Sequence, residues 1–231
     1  MASRKEEKEQ RRQERVAREQ SEAAAAARRR RYGIIVGTIL GVAALAAIGI
    51  VIAAGGGSSS SKSGTDVVKS SFPNSAPPPA VKITDLVQAA KAAGCVLTNP
   101  PIEGRTHVSD STKVVYHTTP PTSGNHNPVP AADGYYPTKP PVRHTVHTLE
   151  HGRIYIHFKP TLSQRRIAQL GGLFNDDPFH MLLSPDPDMP DRVAVTAWGH
   201  LAACKKVNNE TFDVIRAFRD RYRDRGPEAV P

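Results

Sequence analysis

Nine histidines, at positions 107, 117, 126, 144, 147, 151, 157, 180 and 200, all fall in the C-terminal part of a 231-residue chain. The neutral imidazole nitrogen is the commonest transition-metal donor near neutral pH, so spacing decides which of them could work together. The tightest group is His147-Thr-Leu-Glu150-His151. On a helix, His147 and His151 stand one turn apart on one face, where two imidazoles hold a single ion in cis. The string also matches the H-x-x-E-H pattern of inverted zinc peptidases, in which the helical Glu is the general base. Strand alternation begins immediately after Gly152-Arg153, however, where such enzymes continue a long helix, and no clear downstream helical Glu completes their site. The non-metal alternative is a short turn in which Glu150 pairs with Arg153 or orients a histidine.

A second pattern runs from His117 through Pro120-Pro121-Thr-Ser123-Gly124 to His126. Proline pre-sets the backbone and Ser-Gly supplies a turn, so the loop can fix either the His126 ring or the Ser123 hydroxyl. As a nucleophile Ser123 would need a base and an oxyanion hole, and no G-x-S-x-G elbow surrounds it. The alternative is a rigid loop packing over a sheet. The candidate ligands are therefore His126, His147 and His151, with His107, His117, Glu150, His157 and Met189 able to complete or tune the shell. Imidazoles suit copper or zinc, and thioethers at Met181 and Met189 would tilt the balance toward copper unless they serve the core.

These residues need a scaffold. Ile83 to Gly94 reads as a helix over about 84 to 93, capped by Thr84 and stopped by Gly94. Lys113 to His117 reads as a strand. Seven prolines between 118 and 141 exclude a helix or central strand there. Ile154, Ile156 and Phe158 alternate with Tyr155 and His157 as in a strand. Thr161 and Gln164 form a capping box for a helix that should fray near Gly171-Gly172. Further strands fall near 179–183 and 192–198, with Trp198 as a core anchor, and an amphipathic helix spans 210–224. The sum is one α+β domain, a small sheet with flanking helices, over 81–231.

The rest of the chain addresses location. Residues 33–54 carry no charge and one polar side chain, Thr38, long enough to cross a bilayer. Arg28 to Arg31 abut this span, and no Lys or Arg follows it until Lys62, so the positive-inside rule places residues 1–32 in the cytoplasm and the large domain outside. Cleavage after Ala53-Ala54 is the competing reading of the same segment. Residues 55–80 are Gly/Ser- and then Pro-rich, the composition of a tether. The net charge of +9 is largely a tail property, because residues 1–32 hold 11 Lys/Arg against 6 Glu. That tail is a topology determinant that could also touch anionic headgroups. It lacks the interleaved aromatics of a nucleic-acid binder, and neither a phosphate loop nor G-x-G-x-x-G occurs.

The two cysteines, Cys95 and Cys204, exclude a four-cysteine metal site. In an oxidising compartment they read most simply as one disulfide, with free thiols or a metal-thiolate pair as alternatives.

With these segments assembled, the chain resembles the domain-of-unknown-function family thirty-one-oh-five, of membrane-anchored actinobacterial type. The resemblance rests on Cys95, Glu103-Gly-Arg-Thr-His107, the P-P-T-S-G-x-H run to His126, and Val146 to Arg153. It continues through Met189-Pro, Thr196-Ala-Trp-Gly199, Cys204, Ile215-Arg-Ala-Phe-Arg219 and Gly226-Pro-Glu228. It carries no activity, and marks His126, His147, Glu150 and His151 only as expected site positions. The expectation is a single-pass membrane protein displaying a His-rich domain that binds copper or zinc in envelope metal handling, with no nucleic-acid partner. The rivals are a non-catalytic envelope interaction or structural module, with an unknown envelope protein as partner, and a metal- or Ser-dependent hydrolase.

Overall fold

The computed structural model describes residues 68–228 and 230. The basic tail, the expected span and most of the tether lie outside the described residues. Among the described residues no helix is long and apolar enough to cross a membrane.

Ten elements follow in order: α1 (Leu86–Ala93), β1 (Cys95–Thr98), β2 (Gly134–Tyr135), α2 (Val142–Glu150), β3 (Ile154–Phe158), α3 (Gln164–Asp176), β4 (Met181–Pro185), β5 (Val193–Ala197), β6 (His200–Cys204) and α4 (Glu210–Tyr222). They build a six-stranded mixed sheet of order β1-β6-β5-β3-β4-β2. Strands β3, β4 and β2 run parallel, while the β1/β6, β6/β5 and β5/β3 pairs are antiparallel. This is the α+β class expected.

Strand alternation divides the sheet into two working faces. Ile154, Ile156, Phe158, Met181, Leu183, Val193 and Val195 point into the main core with Leu170, Phe174, Phe212 and Phe218 from the helices. Five of those strand residues, Ile154, Ile156, Met181, Leu183 and Val193, are fully buried, and burying each contributes about 1.5–3 kcal/mol. The opposite face carries Tyr155 and Leu182, which pack with Tyr136 and with Leu149 of α2. The α2 helix and the proline-rich loop therefore sit over this second face.

Several local expectations need correction. Residues 113–117 form no strand; the segment is irregular, with Tyr116 anchored through its hydroxyl to the Asn125 carbonyl. The α1 cap is Asp85, which accepts the Gln88 N–H, rather than Thr84. Ser163 caps α3, while Thr161 accepts instead from Arg192. Trp198 is only partly buried and packs beside the smaller cluster. Strands β1 and β6 escaped the pattern analysis because β1 is only four residues long with Val96 and Thr98 exposed, and β6 carries half-exposed residues and small alanines. Strand β2 fits the proline exclusion, since it occupies the sheet edge.

The α3 helix also runs through Gly171-Gly172 to Asp176 without fraying. The reason lies in residues 72–79, which composition assigns to the tether but which lie against this helix. A Cβ on Gly171 would meet the Phe72 ring at 2.2 Å, and one on Gly172 would meet the Ala76 carbonyl oxygen at 2.0 Å. Phe72 and Asn175 exchange hydrogen bonds, and Ala76 donates to the Ala168 carbonyl. The glycines thus make a groove for a chain segment.

The two cysteines stand opposite each other in the β1–β6 register and form a disulfide. It closes a 109-residue separation, worth about 4–5 kcal/mol by the chain-entropy argument.

Candidate metal centre

Pro141 opens α2, and the helix places Val146 and Leu149 inward while His147 and Glu150 meet the loop that crosses it. That loop is stitched to the helix residue by residue. Asn127 donates its N–H to the Arg143 carbonyl, Ala131 to that of His144, and the Thr148 hydroxyl donates to the Ala131 carbonyl. Arg143 in turn donates to the carbonyls of Val108, Ser109, Asp110 and Thr112, fixing the segment that follows His107. A short parallel bridge aligns His107 with His126.

These constraints gather His107, His126, His147 and Glu150, each offering one ligand atom, with all four atoms within 4.8 Å of one another. Tetrahedral zinc with bonds near 2.0–2.1 Å needs ligand atoms about 3.4 Å apart. Small side-chain rotations therefore suffice. His126 is fully buried, and Glu150 and His147 nearly so, while the His107 side chain is 45% exposed.

The hydrogen bonds also select the ring nitrogen that is free. His126 Nδ1 donates to the Gly124 carbonyl at 2.8 Å, and His147 Nδ1 donates to the Asn127 carbonyl at 2.7 Å. A carbonyl only accepts, so both rings carry their proton on Nδ1 and turn Nε2 toward the cluster. Carbonyl-oriented imidazole is the usual arrangement behind a metal ligand. Gly124 is required there, at φ +129°, because a Cβ would strike the Tyr116 ring at 2.7 Å.

Nε2 of His126 lies 3.0 Å from Oε2 of Glu150, and His107 Nε2 lies 3.9 Å from the same oxygen. Yet His126 Nε2 and Glu150 Oε1 are buried without a hydrogen-bond partner. Arg105 Nε, 3.4 Å from Oε1, supplies charge without hydrogen-bond alignment. Burial lowers the His147 pKa to about 4, keeping that ring neutral and its lone pair available at neutral pH. Burial also lowers His151, against the opposing pull of Glu228.

His151, the third expected ligand, caps the C-terminus of α2 and falls in a different group, with His147 and Glu228. Its ring centroid is 4.5 Å from that of His147. His117 is exposed and pairs with Glu103 instead. His157 belongs to a separate buried network on the same sheet face, between the Thr196 hydroxyl at 3.0 Å and Asp186 at 3.5 Å, with Lys139 on the far side of Asp186. Burial lowers His157; Asp186, pushed up by burial, is held well below the usual carboxylate range by His157 and Lys139. Met181 is in the main core and Met189 is fully buried in the β4–β5 connection. Ser123 is buried, its hydroxyl oxygen accepting the Glu103 N–H, which gives it a part in fixing the loop.

The site residue missed by spacing is Glu228, distant in sequence and brought back by the C-terminal tail. Its only sequence signal was its place in the Gly226-Pro-Glu228 motif.

Comparison with curated proteins and with solved structures gives no significant match. Residues 107–230, which contain every group of the cluster, match the family described as Protein of unknown function (DUF3105). The chain belongs to that family.

Proposed function

We propose that this domain binds one borderline transition-metal ion, zinc or copper(II), through Nε2 of His126 and His147, His107 and the Glu150 carboxylate. The observation that carries this reading is the buried pair of His126 Nε2 and Glu150. With Nδ1 committed to Gly124, a neutral His126 turns a lone pair toward a carboxylate oxygen 3.0 Å away. Two facing lone pairs repel inside a protein, and an unmade buried hydrogen bond costs about 1–3 kcal/mol. A cation between them converts the repulsion into coordination. Three imidazoles and a carboxylate suit zinc or copper(II) better than copper(I), which prefers sulfur.

The cellular role follows the sequence: a span at 33–54 with basic residues on its N-terminal side would hold the domain outside the cytoplasm, where its disulfide is stable. There it would handle metal in the envelope.

The test is elemental analysis and zinc and copper(II) titration of the full chain in detergent micelles, purified without a metal column. One equivalent bound tightly, with loss on His126→Ala or Glu150→Gln at retained circular dichroism, supports the site. No bound metal and no thermal shift on adding either ion would overturn it.

A further inference from the structure

The tail after α4 does not drift away; it returns to the last turn of α2. Asp224 donates its N–H to the Gly152 carbonyl, Glu228 donates to the Glu150 carbonyl, and Arg153 Nη1 donates to the Val230 carbonyl. Gly226 approaches so closely that a Cβ there would lie 2.1 Å from the Glu150 carbonyl oxygen. This path sets the Glu228 carboxylate 3.3 Å from His151 Nε2 and completes a second group of three donors with His147.

His147 belongs to both groups. Its Nδ1 is committed to the Asn127 carbonyl, so only the Nε2 lone pair remains, and one lone pair holds one ion. The two positions therefore exclude each other. They also differ in access: the side chains of His151 and Glu228 are 11% and 45% exposed, against 0% and 3% for His126 and Glu150.

We propose that His147, His151 and Glu228 form an outer metal position that passes its ion to the inner one. This rests on the metal reading above. The transfer is ligand exchange alone: the ion keeps His147 Nε2, breaks its bonds to His151 and Glu228, and forms bonds to His126, His107 and Glu150. No electron moves and no co-reactant is needed. His107 is itself exposed, so direct loading past that ring is the competing route.

The experiment is stopped-flow transfer of zinc from a chromophoric chelator to the full chain in detergent micelles, with the equilibrium affinity read from the endpoint. For His151→Asn and for Glu228→Gln the expected result is one equivalent bound with little change in affinity, but transfer slowed by about tenfold or more. Glu150→Gln should instead lose equilibrium affinity. Wild-type transfer rates in both outer variants would overturn the relay and leave the inner site standing. An affinity loss in both as large as that of Glu150→Gln would overturn it too, by showing one merged site. Failure of the wild-type chain to take up either zinc or copper(II) would overturn the metal reading itself. Glu228 is half-exposed, so its variant keeps the test valid if His151→Asn disturbs the cap of α2.

Discussion

Nε2 of His126 faces Oε2 of Glu150 at 3.0 Å, inside the protein, while the other nitrogen of the same ring is already spent on the Gly124 carbonyl. A glutamine at position 150 can turn its NH₂ toward that lone pair and make the missing hydrogen bond. Glu150→Gln should therefore leave the metal-free protein as stable as wild type, or stabilise it by about 1 kcal/mol. The same change removes an anionic ligand and should weaken zinc binding tenfold or more. Chemical denaturation with chelator, paired with zinc titration, checks both directions; a stability loss with unchanged affinity would sink the argument.

Gly124 holds the carbonyl that orients His126. Gly124→Ala forces a Cβ against the Tyr116 ring at a φ of +129°. The expected cost is about 1–3 kcal/mol in unfolding free energy from the strained backbone. Because ring orientation goes with it, metal affinity should fall about 10–100-fold. Tyr116→Ala, which makes room but leaves the φ strain, should restore only part of the stability lost, as a double-mutant cycle would read.

Gly172 tests where the folded part starts. Gly172→Ala places a methyl 2.0 Å from the Ala76 carbonyl oxygen, so residues 72–79 must lift from α3. Limited proteolysis should then cut between 68 and 81 in the variant and spare that stretch in wild type. Equal cutting in both would show that this segment adds nothing to the domain.

The disulfide joins partners in the β1–β6 register. A Cys95→Ser, Cys204→Ser double variant should lose about 4–5 kcal/mol of stability from the released chain entropy. Denaturant unfolding measures the loss, and zinc binding by the folded fraction should persist, because neither cysteine belongs to the donor groups.

Acid sensitivity should come partly from His157. Burial lowers its pKa below the ordinary 6.5, so the unfolded chain binds a proton more readily than the folded one. Its contribution is complete above pH 6.5 and is lost as pH falls from there toward the folded value. Asp186, lowered from 3.8, adds nothing in that window; its contribution is lost only on further acidification. His157→Gln should flatten the fall in unfolding free energy between pH 7.5 and about 5, measured in chelator. His147, His151 and His200 shift in the same direction and add to the slope. A slope unchanged by His157→Gln would count against the buried neutral ring.

Periodicity and chemistry in the sequence were enough to determine the α+β class, strand β3, the amphipathic α4 and the concentration of ligand-type side chains around 107–151, and they made one disulfide the simplest reading of the two cysteines. These are local properties, or follow from having only two thiols. The fates of individual histidines were not local. His117 and His157 have the same side chain as His126, yet one went to Glu103 at the surface and the other to Asp186 and Thr196 under the sheet. Only the crossing of the proline-rich loop over α2 put His126 against Glu150, and only the returning tail brought Glu228 to His151. The glycine pair in α3 read as a point of fraying because a helix pattern carries no trace of the segment packed on it. Tertiary structure decided these matters because a donor set is defined by distance between atoms far apart in the chain, which no spacing along it encodes.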